Sequence, residues 1–520
     1  MNNRKIALPV RHLPAKPLTI PHLPASWRAL LARIRAAQFV TGLLLGAAFV
    51  LFLALVQFST PDLPDNDGYY HIKLAYLMRT EGLKPAFPWL PLSILNPREF
   101  YDHHFLFHVA LMPFTFGDLR LGAKWAAVIF AALAFLSAWN LLKNQRVAYA
   151  PLWALGLLAV SEAFLYRMSI TRAQSLSLAV LMLGLDWLLH GKHRRLALLA
   201  FVYVWFYNAF PLLILVAGVY VLAKWMLERR LDLRPILYTT LGVIFGLLIN
   251  PYFPHNIVFV VQHILPKLVE TTAVSVGSEW YPYTTAQLLE NSPLALAVLA
   301  SGILAVGLND KRIDLRTLAG LGLVCLFGLM LFQSRRFIEY FPAFALVFAA
   351  FAWSPLLESR AGSPRLLRRA PALLLALVLL CGAWFTFGAA RSSIQAAKPY
   401  QTYAGASAWL EANTPAGARV FQTDWDDFPR LFYYNSRNTY LIGLDPTYML
   451  LYNEELYHLW VDVTRGRVER PAGVIQQDFG ASYILTDLLH EAFIEQAEQD
   501  PQLQEAYRDE YAVIYTVIDR

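Results

Sequence analysis

The sequence predicts an α-helical polytopic membrane protein with a soluble α/β domain at its C-terminal end, and three observations lead to this fold class. Of the 520 residues, 57% are hydrophobic and 16% are charged, whereas ordinary globular domains carry about 25% charged residues. Apolar segments of about 20 residues, the length needed to cross the hydrocarbon core of a bilayer, recur through the first three quarters of the chain. From about residue 395 the apolar segments shorten and charged residues become frequent.

Hydropathy predicts about 11 membrane spans. The first 36 residues are basic and Pro-rich, and the apolar segment after them is too long for a typical signal peptide, so we expect a retained anchor. The stretch 195–227 is either two short spans or one kinked helix, and two spans keep the following loops on the side that their charges indicate. The predicted spans are 37–58, 119–142, 147–163, 173–190, 195–208, 209–227, 235–253, 292–308, 315–333, 337–354 and 370–389.

The charges at the ends of these spans predict the orientation in the inner (plasma) membrane. Lys and Arg recur in alternate turns, as in cytoplasmic loops, for example Lys143 and Arg146, Lys192 and Arg194, and Lys311 and Arg312. The net charge of +7 therefore follows the span ends and does not indicate a nucleic-acid partner. The predicted parts are a cytoplasmic segment 1–36, a transmembrane domain 37–392 with external loops 59–118 and 254–291, and a periplasmic or extracellular domain 393–520.

Alternating apolar residues between turn signals predict the elements of the external domain. Strands are expected at 418–421, 439–443, 481–485 and 512–517, with helices at 407–411 and about 487–499. These elements predict a small soluble α/β domain.

The first external loop opens with two carboxylates, Asp65 and Asp67, on a Pro- and Gly-containing turn directly after the first span. An aromatic and apolar helix is predicted over 69–77, which would hold the carboxylates at its N-terminal end, where they suit a divalent cation beside a lipid headgroup. Further along the loop, Asp102, His103 and His104 are donors that suit Mn²⁺, Zn²⁺ or Mg²⁺. The alternative for the histidines is an interfacial position bonded to headgroups or water.

Arginines on the predicted external side are the next feature. Arg167 and Arg172 lie outside the membrane against the positive-inside trend, and each needs an anion unless it reaches the interface. Arg335 and Arg336, at the outer end of a later span, suit a phosphate or pyrophosphate clamp. The alternative pairs Arg336 with Glu339 three residues on.

Two aromatic segments with carboxylates complete the set of candidates. Glu279 lies in a long loop beside Trp280 and Tyr281, which is typical of a lid that completes a site when ligand binds, and the alternative is an ordinary surface Glu. Trp425 is flanked by Asp424, Asp426 and Asp427 at a predicted strand end. This turn suits a sugar or peptide contact, or it is a simple capped turn.

These motifs, in this order, resemble the GT-C superfamily of membrane glycosyltransferases, and most closely the catalytic subunit of oligosaccharyltransferase. Asn66-Asp67-Gly68-Tyr69 matches the first acidic motif of that family, and the segment 275–285 resembles its external-loop Ser-x-Ser-Glu motif. The segment 335–342 resembles the one whose Arg contacts the donor pyrophosphate. Residues 413–417 with Trp425-Asp426 resemble the approach to the Trp-Trp-Asp-Tyr-Gly motif.

The chain departs from the family at two motifs. The place of the second acidic motif reads Thr171-Arg172-Ala173-Gln174-Ser175, without a carboxylate. Asp102-His103-His104 resembles the Asp-x-His variant of that motif but lies on the first loop. The first Trp and the Gly of Trp-Trp-Asp-Tyr-Gly are absent, and because that motif binds the peptide acceptor, the acceptor is left open between protein, lipid and glycan.

The resemblance implies an inverting transfer of a sugar or glycan from a polyprenyl-phosphate or polyprenyl-pyrophosphate donor to an acceptor at the outer face of the membrane, assisted by Mg²⁺ or Mn²⁺. Two alternatives remain at this point, a transporter or flippase of lipid-linked glycan and a non-catalytic polysaccharide-binding membrane protein. The implied residues are Asp67, Glu279 and Asp102 in catalysis; Asp67, Asp102, His104 and Glu279 at the metal; Arg336, Arg335 and Arg172 at the donor phosphate; and Trp425, Asp426, Trp280 and Tyr281 at the acceptor or sugar.

Overall fold

The computed structural model describes residues 25–264, 277–358 and 365–518, and the regular secondary structure of this part is helical apart from one small sheet. They group into two units, one ending at Leu44 and one beginning at Leu45. Of the first unit, the described part belongs to the first helix.

The helices of the membrane part make the chain a multi-pass membrane protein. Among the described residues, six helices are long and apolar enough to cross a membrane, and the number rises to eight if each of two bent helix pairs counts as one span. The prediction of about 11 spans is thus not confirmed at that number, because three of the apolar helices have only 10–17 residues. The helices are α1 (Ala25–Gln57), α2 (Asp67–Glu81), α3 (Phe105–Leu111), α4 (Leu119–Asn144), α5 (Ala150–Leu155), α6 (Glu162–Ser169), α7 (Gln174–Leu189), α8 (Arg195–Phe206), α9 (Pro211–Glu228), α10 (Arg234–Leu248), α11 (His255–Phe259), α12 (Thr285–Asn291), α13 (Pro293–Leu308), α14 (Leu315–Gln333), α15 (Phe341–Glu358) and α16 (Arg365–Gln395).

Sharp breaks lie directly before two of the helices that match predicted spans. Helices α6 and α7 meet at an angle of 108°, and α12 and α13 at 85°. At the first break the hydroxyl of Thr171 donates a hydrogen bond of 3.0 Å to the carbonyl oxygen of Ala123 on α4, which satisfies polar groups where the helix is interrupted. Residues 207–210 separate α8 from α9, so this stretch forms two helices, as predicted.

Helix α15 lies at the centre of the membrane part. It is buried along nearly its whole length and packs against α13 and α14. Small residues allow close approach elsewhere, since a Cβ on Gly242 of α10 would lie 2.1 Å from the carbonyl oxygen of Ala197 on α8. Such close packing stabilises helix pairs in membranes, where apolar burial alone gives little.

The C-terminal part is built on a five-stranded sheet of order β2-β1-β3-β5-β4. Strands β2, β1 and β3 are parallel, and β5 is antiparallel to both β3 and β4. The strands are β1 (Arg419–Gln422), β2 (Thr439–Tyr440), β3 (Tyr483–Asp487), β4 (Leu503–Arg508) and β5 (Ala512–Val517), and the helices are α17 (Ala404–Asn413), α18 (Phe428–Tyr434), α19 (Thr447–Tyr452), α20 (Glu454–Thr464), α21 (Ala472–Gln477) and α22 (Glu491–Gln499). The sheet agrees with the predicted α/β part, while the boundary at 392/393 stays a prediction.

Strand β4 was not predicted from the sequence. Its residues, Leu-Gln-Glu-Ala-Tyr-Arg, lack apolar alternation, and every one of them is exposed or half-buried. An edge strand with little core contact leaves no periodic signal.

Aromatic packing joins the sheet to the first loop of the membrane part. Helix α18 packs on α2, where the Tyr70 ring lies 5.8 Å from that of Phe432 and 6.4 Å from that of Phe428, measured between centroids. These three residues are buried. The packing brings the 3-10 turn Trp425–Asp427, which precedes α18, beside the start of α2.

Candidate active site

The start of α2 is held by polar contacts to the C-terminal part. Asn66 precedes the helix but makes no side-chain cap. Its Nδ2 donates instead to the carboxylate of Asp426 at 2.6 Å, and its Oδ1 accepts from Nε of the buried Arg430 at 2.8 Å. Asp67 therefore stands in the first turn of α2, where the helix dipole favours a negative charge, on a backbone that is fixed from the side of the sheet.

Arg172 occupies the break between α6 and α7 and binds three carboxylates. Its Nε and Nη2 donate to both oxygens of Asp65 at 2.6 and 2.7 Å, a bidentate pair. Nη2 also lies 2.9 Å from Asp67 Oδ2, and Nη1 lies 3.3 Å from Glu279 Oε2. Arg172 lies where the resemblance led us to expect the second acidic motif. In place of a carboxylate, this position therefore supplies a cation that binds the other acidic residues.

Glu279 accepts from arginines at both of its oxygens. Besides Arg172, Arg167 Nη1 donates to Oε2 at 2.8 Å and Arg336 Nη1 donates to Oε1 at 3.3 Å. Burial alone would raise the pKa of Glu279, but the three guanidinium groups outweigh it and hold this pKa well below its usual range. Glu279 is therefore ionised and binds the arginines together.

The predicted i,i+3 alternative for Arg336 is not what the structure shows. Glu339 bonds to both Nε and Nη2 of Arg167. Arg336 turns the other way, donating to the hydroxyl of Tyr207 at 2.7 Å and stacking 4.9 Å from the Trp280 ring centroid. Arg336 thus makes two side-chain hydrogen bonds to the described residues, although a guanidinium has five N–H donors.

Asp67 titrates near neutrality. Burial raises its pKa to about 7, and the negative charges of Asp65, Asp426 and Glu279 add to the effect against the opposing influence of Arg172. Burial and neighbouring carboxylates likewise raise the pKa of Asp426 to about 6. Strongly shifted carboxylates in a partly open cluster of charges are typical of functional sites.

Arg335, Tyr281 and Trp425 lie at the border of this network. The Arg335 guanidinium donates to the backbone oxygens of Tyr281 and Pro282 at 3.2 and 3.1 Å, and it makes no ion pair among the described residues. Tyr281 is 47% exposed. Trp425 lines a separate cavity of about 220 Å³ beside Tyr457 and Trp460.

The Asp-His-His segment lies behind the network in a buried cluster. Asp102 accepts from His108 at 2.8 Å, and His108 in turn hydrogen-bonds to His71 of α2 at 2.8 Å. The ring of His104 stacks on Tyr207 at 5.4 Å. Burial and neighbouring imidazoles lower the pKa of His71 and His104 well below the ordinary value, so these rings are neutral.

The residues predicted to share a metal ion do not present a common set of free ligand atoms. The oxygens of Glu279 and one oxygen of Asp67 face guanidinium groups. Both oxygens of Asp102 already accept hydrogen bonds, from His108 and from the backbone of His104. Positive groups at the centre do not fit a divalent cation on Asp67 and Glu279. An acidic triad that could bind a metal lies elsewhere in the described part of the chain, at Asp424, Asp427 and Asp487.

The sequence indicated Arg167 and Glu339 as notable residues but did not assign either of them to the site. It did not indicate that Asn66 and Arg430 hold the start of α2 in place. The signal for Arg167 was present, because an arginine outside the membrane needs an anion. Asn66 and Arg430 bond to each other across 364 positions of the chain. Such a pairing leaves no local pattern.

Solved structures of membrane glycosyltransferases share this fold. The oligosaccharyltransferase AglB from Archaeoglobus fulgidus, in complex with an inhibitory peptide and a dolichol-phosphate, gives a TM-score of 0.64 at 14% identity, over 88% of this chain and 71% of that chain. ArnT from Cupriavidus metallidurans, bound to undecaprenyl phosphate, gives 0.55 at 15% identity, over 91% and 97%. The arabinofuranosyltransferase AftD from Mycobacteria gives 0.55 at 16%, over 92% and 40%.

A further structure of the Archaeoglobus fulgidus enzyme is a complex with Zn and sulfate. No family model matches the chain, and no curated protein matches it. All three neighbours are GT-C glycosyltransferases. The resemblance to that superfamily is therefore confirmed, at the level of the fold.

Proposed function

We propose that the chain transfers a sugar or glycan from a polyprenyl-phosphate or polyprenyl-pyrophosphate donor to an acceptor, at the site formed by Asp67, Arg172, Glu279 and Arg336. One observation carries the proposal. Three arginines converge on Glu279 beside a carboxylate whose pKa is about 7, on a fold whose solved neighbours include complexes with dolichol-phosphate and undecaprenyl phosphate. Such a site offers a base and positive charge for a leaving phosphate.

The reaction is a single displacement with inversion. An acceptor oxygen or nitrogen attacks the anomeric carbon while the bond from that carbon to the phosphate oxygen breaks, and the phosphate leaves with the bonding electrons. The acceptor proton passes to the carboxylate of Asp67. A base is most effective when its pKa lies near the working pH, which the burial of Asp67 among other carboxylates provides.

Arg336 is the residue best placed to bind the donor phosphate. Its side chain is 24% exposed, compared with 13% for Arg167 and 17% for Arg172. It also has more N–H groups left over than either of them, because it uses only two on described residues. The other two arginines hold the carboxylates in place, so that positive charge is preorganised before the donor binds.

The acceptor side is assigned to the turn of the C-terminal part. Asp426 is bonded to Asn66, the neighbour of Asp67, and its charge acts on Asp67. An acceptor that reaches Asp67 from the sheet would pass Asp426, and the aromatic faces of Trp425 and Trp280 offer stacking surfaces to a sugar ring. Tyr281 and Arg335, at the border, would contact the donor sugar or its phosphate.

A divalent ion on Asp67 and Glu279, with Asp102 and His104, stays a prediction that this donor set does not favour. Arg172 and Arg336 already supply positive charge at the position where an ion would act. No step above depends on a metal.

The proposal is tested by donor turnover with the purified full-length protein in lipid nanodiscs. Undecaprenyl- and dolichyl-phosphate sugars, with a panel of acceptors, are assayed for release of the free polyprenyl phosphate. Asp67→Asn should lower turnover about 100-fold or more, the usual contribution of a general base, and should keep donor binding. Arg391→Ala, an exposed position on α16, serves as the control that keeps wild-type turnover.

The alternatives give different results with the same purified protein. In liposomes, a flippase would move labelled donor across the membrane without consuming it, and Asp67→Asn would leave that movement intact. A polysaccharide-binding protein would retain glycan with no release of polyprenyl phosphate from any donor. Either outcome would exclude the proposed transfer.

A further inference from the structure

A second cluster of carboxylates lies away from the proposed active site, where two parallel strands end. Strands β1 and β3 are paired in register, with Gln422 opposite Leu485. Two residues beyond that pair, Asp424 follows β1 and Asp487 ends β3. The hydroxyl of Thr423 donates to that of Thr486 at 2.9 Å between them. A third carboxylate, Asp427, joins them, and ligand oxygens of the three lie within 4.8 Å of one another.

The sheet topology makes this edge a ligand-binding position. In the order β2-β1-β3-β5-β4, strand β1 lies between β2 and β3. The chain runs from β1 to its neighbour β2 on one side and then crosses to β3 on the other side of β1. Open sheets with parallel strands bind ligands beyond the carboxyl ends at the place where the strand order reverses. Asp424 and Asp487 flank that place.

Asp427 is the observation that points to a ligand. It is 1% exposed, and neither of its carboxylate oxygens accepts a hydrogen bond of good geometry from the described residues. Asp427 directly precedes α18, where an Asp side chain commonly caps the helix, but it makes no such cap. Asp424 and Asp487 lie beside it as further negative charges, and the phenol of Tyr403 is the one donor within interaction distance among the described residues. A single neutral phenol does not satisfy two buried carboxylate oxygens or their charge, which is costly and calls for a further partner.

The other two carboxylates are each anchored by one oxygen and offer the second. Asp487 Oδ1 accepts from the backbone N–H groups of Leu489 and His490 and from His490 Nδ1, at 2.9, 3.0 and 2.7 Å. Asp424 Oδ1 accepts from the backbone of Asp426 at 2.9 Å. Neither Oδ2 accepts a hydrogen bond from the part of the chain that the structure describes. Outer donors that orient a ligating carboxylate in this way are typical of metal sites.

We propose that Asp424, Asp427 and Asp487 bind a hard divalent cation, Ca²⁺ or Mg²⁺. Two oxygens on one Ca²⁺, each at 2.3–2.6 Å, lie at most about 5 Å apart, and the ligand oxygens here meet this condition because all of them lie within 4.8 Å of one another. The donors are all carboxylate oxygens, the set that hard cations prefer, and no thiol is among them. The cavity of about 220 Å³ that Asp424 and His490 line gives the ion access and room for water ligands.

This ion would act on the turn that reaches the proposed active site without being part of the reaction. Asp424 and Asp427 flank Trp425 and Asp426, and Asp426 bonds to Asn66 beside Asp67. Binding would therefore fix the 3-10 turn Trp425–Asp427 against α2. The proposal does not depend on the proposed transfer reaction, because its measurement is ion binding.

The test uses the full-length protein in detergent, freed of metal with chelator. Tb³⁺ serves as the probe, since excitation of Trp425 and Trp460, which line the adjoining cavity, should sensitise its emission. We expect one Tb³⁺ per chain, displaced by Ca²⁺ or Mg²⁺ at concentrations on the order of 1 mM or below. Asp427→Asn should abolish the signal, and Asp478→Asn, an exposed acid after α21, should not.

Thermal unfolding of the same variants distinguishes a ligand from a merely structural residue. In chelator, Asp427→Asn should melt at or above the wild-type temperature, because it removes one of three neighbouring negative charges. Added Ca²⁺ should then raise the melting temperature of the wild type and of Asp478→Asn, but not that of Asp427→Asn.

Two outcomes would overturn the proposal. The first is that the wild type binds neither Tb³⁺, Ca²⁺ nor Mg²⁺ at a pH at which the three carboxylates are ionised. The second is that the Asp427→Asn variant binds Tb³⁺ as the wild type does. If Asp427→Asn fails to fold, the half-buried Asp424→Asn decides, because it too should lose the ion. Asp67→Asn should bind Tb³⁺ normally, so failure of the transferase proposal would leave this result unchanged.

Discussion

At the scale of single residues, the site is a cluster of charges in which arginine replaces an expected carboxylate. The sequence alone indicated Asp67, Arg172 and Arg336, because each is a charged residue near the predicted end of an apolar segment, and Glu279, because it is a carboxylate in a loop rich in aromatic residues. It could not indicate that Arg172 binds Asp65, Asp67 and Glu279 together, since each of the three lies 105 or more positions from Arg172. Local patterns identify charged groups, but only the folded chain selects their partners.

Asp67 gives a pH dependence whose sign follows from its role as a base. Only the ionised carboxylate accepts a proton, and with the pKa raised to about 7 its ionised fraction grows between about pH 6 and about pH 8. We expect kcat/KM to rise over that range and to level off above it. Asp426→Asn removes a charge that raises this pKa, so its profile should rise at lower pH. A rate that is already maximal at pH 5 in the wild type would contradict the assignment.

Arg172 should matter for stability as well as for turnover. Arg172→Met leaves the carboxylates of Asp65, Asp67 and Glu279 close together without this shared cation, and removing one partner of a largely buried ion pair costs about 3 kcal/mol. The melting temperature in detergent should fall clearly. In the double variant Asp65→Leu with Arg172→Met, part of that loss should be recovered, because fewer unpaired charges remain. Equal melting temperatures for Arg172→Met and the wild type would show that the pairing is weak.

At the scale of elements, hydropathy located the helices well and their interruptions poorly. The predicted spans 173–190 and 315–333 correspond to α7 (Gln174–Leu189) and α14 (Leu315–Gln333). The segment 164–172 before α7 was predicted to lie outside the membrane, but the 108° bend between α6 and α7 was not predicted, because residues 170–173 contain neither Pro nor Gly. Tertiary contacts, such as the bond from Thr171 to Ala123, stabilise that break, and they have no counterpart in a sequence window.

The docking of α18 on α2 is the element contact that positions the site, and Gly443 tests it. A Cβ at Gly443 would lie 2.3 Å from a ring carbon of Phe428 in α18. Gly443→Ala must therefore displace Phe428 and with it the turn that holds Asp426 against Asn66. Overpacking of this kind costs about 1–3 kcal/mol. We expect lower turnover with unchanged donor binding, measured with the nanodisc assay.

The matched control for that variant is Gly473→Ala, where a Cβ would meet nothing within 4 Å. Its turnover and melting temperature should equal those of the wild type. If Gly443→Ala behaves in the same way, the contact between α18 and α2 does not position the site.

At the scale of the whole molecule, the fold is shared with solved enzymes at only 14–16% identity. Composition was sufficient to predict a membrane protein with a C-terminal α/β part, because burial in lipid and in a sheet imposes different patterns. The predicted number of about 11 spans is not confirmed, since three of the apolar helices among the described residues have only 10–17 residues. A helix such as α10 (Arg234–Leu248) shows the same apolar composition as a spanning one.

The orientation of the molecule decides which donors reach the site, and labelling of single cysteines measures it. Lys192 lies exposed in the turn between α7 and α8, and Glu491 lies exposed at the start of α22. The charge pattern predicts Lys192 on the cytoplasmic side and Glu491 on the outer side. With Cys325 and Cys381 replaced by Ser, a membrane-impermeant maleimide should label Glu491→Cys in intact spheroplasts and Lys192→Cys only after permeabilisation.

The reverse labelling would place the charge network with Asp67 on the cytoplasmic side, because Asn66 is bonded to the same sheet-bearing part that contains Glu491. A site there would meet nucleotide-activated sugars in water, and a lipid-linked donor at the outer face would be excluded. If both cysteines were labelled in intact spheroplasts, the α7–α8 turn and the sheet could not lie on opposite sides of the membrane. Of these labelling results, only the predicted one is consistent with the proposal that Arg336 binds the phosphate of a polyprenyl-linked donor in the outer leaflet.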